Sequence, residues 1–229
     1  MLTLGGSTYK EKIYQGCCPQ VVFSSDGLTW SVIYQIPLPE EWIWRITWHG
    51  KKGYGFSYRL SEPKLRNRRW ILTLFETVDG ISYTLVKEIK VLGHPSEATI
   101  RFSKDGHATA LLRRRGHAWI GTAFAPYHDW KWTDSGACIG GPNFLLLPDG
   151  SMWAGGRDYR ENADDSKGYT LGRTAIGPMT QKKYIPSLYL PSGGDNSYPG
   201  LVYKDDILYV SYYSSHEGKA CIYLAKIQM

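Results

Sequence analysis

The sequence has few cysteines and no long apolar run, and each shortage removes a class of protein. Only four of the 229 residues are cysteine, two of them adjacent at Cys17 and Cys18, a spacing unlike a disulfide framework. They are read as mostly free, buried thiols. No Cys/His set has the spacing of zinc ligands, so neither a metal nor any other cofactor is expected. No stretch of about 18 apolar residues occurs, which argues against a membrane-spanning helix. The first residues, MLTLGGSTYKEK, lack the basic-then-apolar order of a secretory leader. A longer precursor carrying one stays open, so the compartment is unassigned. Lys and Arg outnumber Asp and Glu by 27 to 21, a formal net charge of +6. That balance favours anionic partners, nucleic acid and acidic sugars among them. The charges are scattered, however, apart from Lys64–Arg69, read as an exposed loop, and Arg113–Arg115 at a strand end. Neither a nucleic-acid nor a membrane partner is expected.

What the chain does have is aromatic residues and a repeat. Seventeen Tyr and nine Trp suit stacking between sheets and the lining of a polar pocket. Near the end of the chain, Leu201–Tyr203 and Ile207–Tyr213 flank Lys204-Asp205-Asp206, the pattern of a hairpin. A polar loop with Tyr198 leads in, and a second with His216 and Glu217 leads out. In an up-down hairpin those two loops share one end. The same layout recurs upstream. Strands starting near Trp44, Glu97 and Asn143 turn at Gly50–Gly53, Lys104–Gly106 and Pro148–Gly150, and leave through Tyr58-Arg59, Arg113–Arg115 and Gly155–Arg157. The four strand starts, at 44, 97, 143 and 198, lie 53, 46 and 55 residues apart. Repeats of roughly 40–50 residues, each about four strands, are the mark of a β-propeller. Residues 1–229 are therefore read as one all-β propeller domain with four-stranded antiparallel blades. Its recurring strand-start and strand-exit residues should converge on one face.

Ahead of the repeats, Met1–Tyr9 reads as the tail of an inner strand, with Cys17–Phe23 and Trp30–Ile36 as an outer hairpin. Between them lies Ser24-Ser25-Asp26-Gly27-Leu28-Thr29-Trp30. It resembles the Asp-box, a tight turn in which Asp accepts backbone N–H bonds, Gly supplies positive φ and Trp anchors the turn to its blade. Thr77-Val78-Asp79-Gly80-Ile81-Ser82-Tyr83 is a second copy with Tyr in place of Trp. Both are fold markers rather than site residues.

With those boxes, the chain resembles the sialidase (neuraminidase) superfamily, in particular bacterial proteins of the BNR-repeat type. The segments that carry the likeness are Pro95–Thr99, Leu111–Arg113, Gly140–Asn143, Gly155–Arg157, Gly194–Gly200 and Ser211–Gly218, and they span nearly the whole chain. The resemblance implies a retaining glycoside hydrolase acting on terminal sialic acid or a related acidic sugar. Tyr198 would be the nucleophile and Glu97 its base, a pairing that spares a substrate carboxylate the repulsion of an anionic nucleophile. Arg113 and Arg157 would hold that carboxylate bidentately. By strand alternation, Arg115 shares a side with Arg113 while Arg114 faces away. Asn143, Asp195, His216 and Glu217 are further rim residues.

The family fold has six blades, about 24 strands, against roughly eighteen read here, or about five blades. Family members place the first arginine of the carboxylate triad and an Asp general acid in the N-terminal blades, and no counterpart of either precedes Tyr9. Asp195 is a conceivable substitute acid. Such a chain would either close as a smaller propeller or stay an open arc, whose strand edges invite self-association. Three functions follow: a sialidase-like hydrolase, a non-catalytic propeller that binds an acidic glycan through Arg113 and Arg157, and a protein-interaction propeller using the aromatic rim.

Overall fold

Twenty strands and no helix make up residues 1–61, 69–159 and 172–229, those described in the computed structural model. Within the basic segment Lys64–Arg69, residues 64–68 lie outside the described residues. The strands form five antiparallel blades. The first contains β1 (Leu2–Leu4), β4 (Gln20–Val22) and β5 (Tyr34–Gln35), with a separate hairpin of β2 (Ser7–Lys10) and β3 (Ile13–Cys17) inserted between β1 and β4. Met1–Tyr9 is thus two strands in different sheets. Gly5-Gly6 separates them, and Gly5 lies so close to Trp42 that a Cβ there would meet the indole.

Blades two to four each have four strands. They are β6 (Trp42–His49) to β9 (Tyr83–Ile89), β10 (Ala98–Phe102) to β13 (Lys131–Asp134), and β14 (Gly140–Leu146) to β17 (Leu188–Tyr189). The last blade has three: β18 (Ser197–Lys204), β19 (Ile207–Ser214) and β20 (Cys221–Gln228). Turn chemistry sets each inner hairpin. Asp205 and Asp206 both adopt positive φ, 51° and 56°, which pairs Lys204 directly with Ile207 in the two-residue geometry that matches strand twist. Strands β6, β10, β14 and β18 pack side by side and so form the inner wall.

The core lies between blades rather than within them. Successive residues of a strand point to opposite faces. Leu112 accordingly packs with Phe56, Leu72 and Leu74 toward the second blade. Leu111 packs with Phe144, Ala154 and Tyr184 toward the fourth. Small residues such as Ala98, Ala108 and Ala110 fill the space opposite the larger side chains. Further clusters join the first blade to the second through Val21, Ile36 and Ile43, and the fourth to the fifth through Ile176, Leu208 and Val210. The first and last blades share no strand pairing among the described residues. β20 ends the last sheet with one edge unpaired, and Ile222 on it is 83% exposed.

The two Asp-Gly turns have one geometry. Asp26 Oδ1 accepts from the amides of Leu28 and Thr29, both at 2.8 Å. Asp79 Oδ1 accepts from Ile81 and Ser82 at 2.8 and 2.7 Å. Gly27 and Gly80 supply φ of 76° and 79°, a backbone that a side chain would strain. Each turn joins the two outermost strands of its blade. The anchoring differs from expectation: Trp30 is 45% exposed, whereas Tyr83, its counterpart, packs against the Val21–Ile36–Ile43 cluster. The amide hydrogen bonds hold both carboxyls near pH 2, down from 3.8. A group with a depressed folded pKa stabilises the fold above its unfolded pKa and loses that contribution as pH falls through the folded one. Carboxyl NMR titration is therefore expected to give midpoints near 2 for these two aspartates, with the turns loosening only below pH 4. Midpoints near 4 would show that the amide bonds do not form in solution.

The four cysteines form no disulfide with one another. Only Cys17 is buried, and Cys18, Cys138 and Cys221 are half-buried. Position decides this, because Cys221 begins the exposed edge strand.

Candidate active site

The strand starts that sequence spacing marks out come together at one end of the inner wall. Glu97 sits immediately before β10 and is 3% exposed. Its neighbour across the hairpin is Arg113, just past β11 (Ala108–Leu112). The Arg113 amide donates to the Glu97 carbonyl at 2.8 Å, and Arg113 Nη1 donates to Glu97 Oε2 at 2.8 Å. The Gly141 amide also donates to Oε2 at 2.8 Å, and the Tyr198 hydroxyl donates to Oε1 at 3.0 Å. A buried carboxylate needs such partners, since an isolated one is very costly to desolvate.

Tyr198 reaches Glu97 because β18 is irregular at its start. The register with β19 shifts between Ser197 and Gly200, and Ser197 and Tyr198 take φ of 119° and 51°. A bulge of this kind re-aims a side chain, and positive φ at a tyrosine is strained backbone of the sort that gathers at functional sites. Ser197 anchors the bulge by donating to the Gly140 carbonyl at 2.9 Å. The phenol ring lies against Gly141, where a Cβ would overlap it. Trp44 meets the ring edge-on at 5.1 Å and Tyr213 lies 5.7 Å away. Tyr198 is 41% exposed, so one side of the ring faces solvent. Burial raises its pKa above the ordinary phenol value, and the Glu97 charge and hydrogen bond raise it further, with Arg113 opposing. The phenol is neutral at physiological pH.

A second group adjoins the first through Tyr159. Its hydroxyl accepts from Arg113 Nη2 at 3.2 Å and from Arg157 Nη1 at 3.1 Å, bridging the two guanidiniums. Arg157 is 3% exposed. Its Nε donates to the Asn196 carbonyl at 2.7 Å and its Nη2 to the Tyr213 hydroxyl at 3.0 Å. Nη2 also bonds the Asp195 carboxylate. Burial opposes the charge on Arg157, but Tyr159, Tyr213 and Asp195 outweigh it, and its pKa is raised. For Tyr213, burial and the bond to Asp195 push the phenol up to about 12.

The remaining expected residues divide. Asn143 is buried and structural, donating to the Pro199 carbonyl at 2.9 Å and accepting from Arg101 at 2.9 Å. It therefore pins the residue after Tyr198. Asp195 joins the cluster through Arg157, with its side chain 62% exposed. His216 does not join. Its Nδ1 shares a hydrogen bond with Ser214 Oγ at 3.0 Å and its ring packs on Tyr223 at 4.4 Å, which turns it away along the outer strand. Glu217 likewise serves Tyr223. Of the three arginines in a row, Arg113 alone reaches Glu97. Arg114 lies over Trp119 at 4.3 Å, and Arg115 is exposed. Among the described residues no group of three or more His, Cys, Asp or Glu side chains is placed to hold a metal ion.

Sequence reasoning assigns no role to Tyr159, Tyr213 or Arg45. Tyr159 was accessible in principle, because alternation puts it on the same strand side as Arg157. Arg45 stands beside the first of the recurring strand starts, and its Nη2 donates to the Pro199 carbonyl at 3.1 Å.

This geometry sits on a known architecture. No family model matches the chain, and no curated protein does. Solved structures do. A β-fructofuranosidase of glycoside hydrolase family 32 from Bombyx mori superposes over 92% of this chain and 52% of its own, with TM-score 0.65 and 13% identity. A family 43 protein from Bacillus licheniformis covers 98% of this chain and 50% of its own, at TM-score 0.61 and 16% identity. An endo-arabinase from Bacteroides thetaiotaomicron covers 93% and 86%, at TM-score 0.60 and 12% identity. The fold is the five-bladed propeller. The chain spans about half the length of the first two structures, and identities this low speak to fold alone. None of these three structures is named as a sialidase, and they do not show that superfamily for this chain.

Proposed function

We propose that this chain is a sialidase-like glycoside hydrolase acting on a terminal acidic sugar through a tyrosine nucleophile. The observation that carries the reading is the 3.0 Å hydrogen bond from Tyr198 to the buried carboxylate of Glu97. A neutral phenol is a weak nucleophile, and it needs an adjacent base to take its proton as the bond to carbon forms. Glu97 is placed for that transfer, and Arg113 and the Gly141 amide hold its other oxygen. Attack by the tyrosine and later release by water would retain anomeric configuration. The two Asp-Gly turns support the same reading, and the propeller glycosidases of similar fold support its coarser part, a carbohydrate-active propeller.

Arg113 and Arg157 supply two guanidiniums, bridged by Tyr159, for the sugar carboxylate. Arg157 is already bonded to Asp195. A ligand carboxylate that takes the place of Asp195 on Arg157 frees the Asp195 carboxylate at the rim, where it can protonate the leaving group once it has taken up a proton from solvent. The alternative, a non-catalytic glycan-binding propeller, is favoured by one observation: Asp195 reaches the cluster only as an ion-pair partner, not as a carboxyl already free to act as an acid.

Release of a fluorescent aglycone from an α-sialoside tests the reading. Turnover by folded protein is expected, and none would leave the binding propeller. The Asp195→Asn variant separates the roles. With the internal competitor gone, free sialic acid is expected to bind about threefold more tightly, a gain scaled to a part-exposed ion pair. Turnover should fall by ~10²-fold or more if Asp195 is the acid. Unchanged turnover together with unchanged affinity would remove Asp195 from the site.

A further inference from the structure

The inner wall contains two more arginines that the proposed chemistry does not use. Arg45 comes from β6 and Arg101 from β10, and each reaches across to another blade. Arg45 Nη2 donates to the Pro199 carbonyl on β18 at 3.1 Å. Arg101 Nη2 donates to Asn143 Oδ1 on β14 at 2.9 Å, and its Nη1 to Thr47 Oγ1 and the Ile100 carbonyl at 2.7 and 2.8 Å. Asn143 links the pair, since its Nδ2 donates to the same Pro199 carbonyl. Four inner strands thus converge on these two side chains. Along β10, Glu97 and Arg101 point the same way, and Arg101 lies roughly 13 Å further from the rim at strand rise.

Every acceptor of these two guanidiniums is neutral. Among the described residues neither forms an ion pair with a carboxylate. Arg45 Nε is buried with no acceptor at all. Arg45 feels Glu97 through space, but that carboxylate is bonded to Arg113, Gly141 and Tyr198. Arg45 and Arg113 therefore both face the one Glu97 carboxylate, and Arg101 is matched to none. Burial lowers the pKa of Arg45, and burial with the Arg45 charge pushes Arg101 down to about 10. Two neighbouring half-buried cations with no carboxylate bonded to either are costly. Their faces lie over Trp44 and Phe144, at 5.6 and 5.7 Å, which supplies aromatic contact but no negative charge.

We propose that Arg45 and Arg101 form a binding site for a small monovalent inorganic anion, chloride being the simplest, within the inner wall beside the Glu97–Tyr198 pair. The anion completes the charge balance of the inner wall and ties the second and third blades to the fourth and fifth. The site is independent of any reading of the rim and holds whether or not the chain cleaves a sugar.

Thermal melting at constant ionic strength, with chloride exchanged for gluconate, tests it. An anion that binds only the folded state raises stability with its concentration. For a chain of this size, the melting temperature is expected to be higher by about 4 °C or more in chloride. In Arg45→Met and in Arg101→Met that difference should vanish. Equal melting temperatures in the two salts for the wild type would overturn the site, as would an undiminished difference in both variants. Should either variant fail to fold, chloride NMR line broadening by the wild type reads the same site directly. Excess broadening that nitrate displaces supports it, and no excess broadening overturns it.

Discussion

Replacing Tyr198 by phenylalanine is expected to lower α-sialoside turnover by at least ~10³-fold, the scale set by losing the nucleophile together with the base that serves it. The change deletes one oxygen and keeps the ring on Gly141 and against Trp44, so the packing that places residue 198 is retained. What disappears is the hydroxyl that donates to Glu97. Net loss of one hydrogen bond to a charged group costs roughly 1.5–3 kcal/mol, and part of it is recovered here because the open side of the ring admits water. The melting temperature should therefore fall by only a few degrees, and binding of free sialic acid should change little. That separation marks a chemical role. Glu97→Gln is the companion: it keeps the shape but cannot take the phenol proton, and should lose a comparable factor. Full turnover by Tyr198→Phe would eliminate the tyrosine mechanism whatever the fate of the fold.

Gly141→Ala is expected to cause the next largest loss of activity, with no loss of any functional group. Gly141 adopts φ of 62°, and a Cβ there would overlap the Tyr198 ring. The ring must swing away, and its hydroxyl leaves Glu97. Displacing a reacting atom by about 1 Å can cost ~10²-fold in rate, and that is the expected loss. The backbone strain of a non-glycine residue at positive φ adds about 1 kcal/mol of destabilisation. Gly116→Ala is the control. Gly116 has φ of 84° but nothing within 4 Å of its Cβ position, so it shares the strain without the collision. Comparable turnover in the two variants would show that the Gly141 contact does not position the tyrosine.

The proposed activity rests on groups whose sequence separations differ widely, and that spread explains what could be read in advance. Glu97 and Arg113 are 16 residues apart and sit at the two open ends of one hairpin. Period-two alternation and the Lys104-Asp105-Gly106 turn are enough to bring them together. The propeller itself was legible for the same reason, because each blade is built from local turns and the repeat spacing multiplies the signal. The hydrogen bond from Tyr198 to Glu97 crosses 101 residues. Nothing local places it, and it entered only through repeat phase and family likeness. His216 shows where phase falls short. It occupies the same end as Tyr198, yet its ring turns to Tyr223, a choice made by side-chain packing on the outer strand.

The start of the chain was misread in another way. Met1–Tyr9 reads as the tail of one inner strand, but Gly5-Gly6 breaks it into two strands of different sheets. The break is set by Trp42, which fills the space beside Gly5 and comes from the next blade.

By itself, then, the sequence determined the strand rhythm, the turns, the all-β propeller and the placing of Glu97 and Arg113 at the two open ends of one hairpin. All of these follow from interactions between residues near one another in the chain. Only the tertiary structure decided that Tyr159 bridges Arg113 and Arg157, that Asp195 is held by Arg157, and that Arg45 and Arg101 are linked through Asn143 and the Pro199 carbonyl. In a ring of blades the inner strands come from distant parts of the chain. Which of their side chains touch depends on how far each blade is rotated against the next, and no local pattern encodes that.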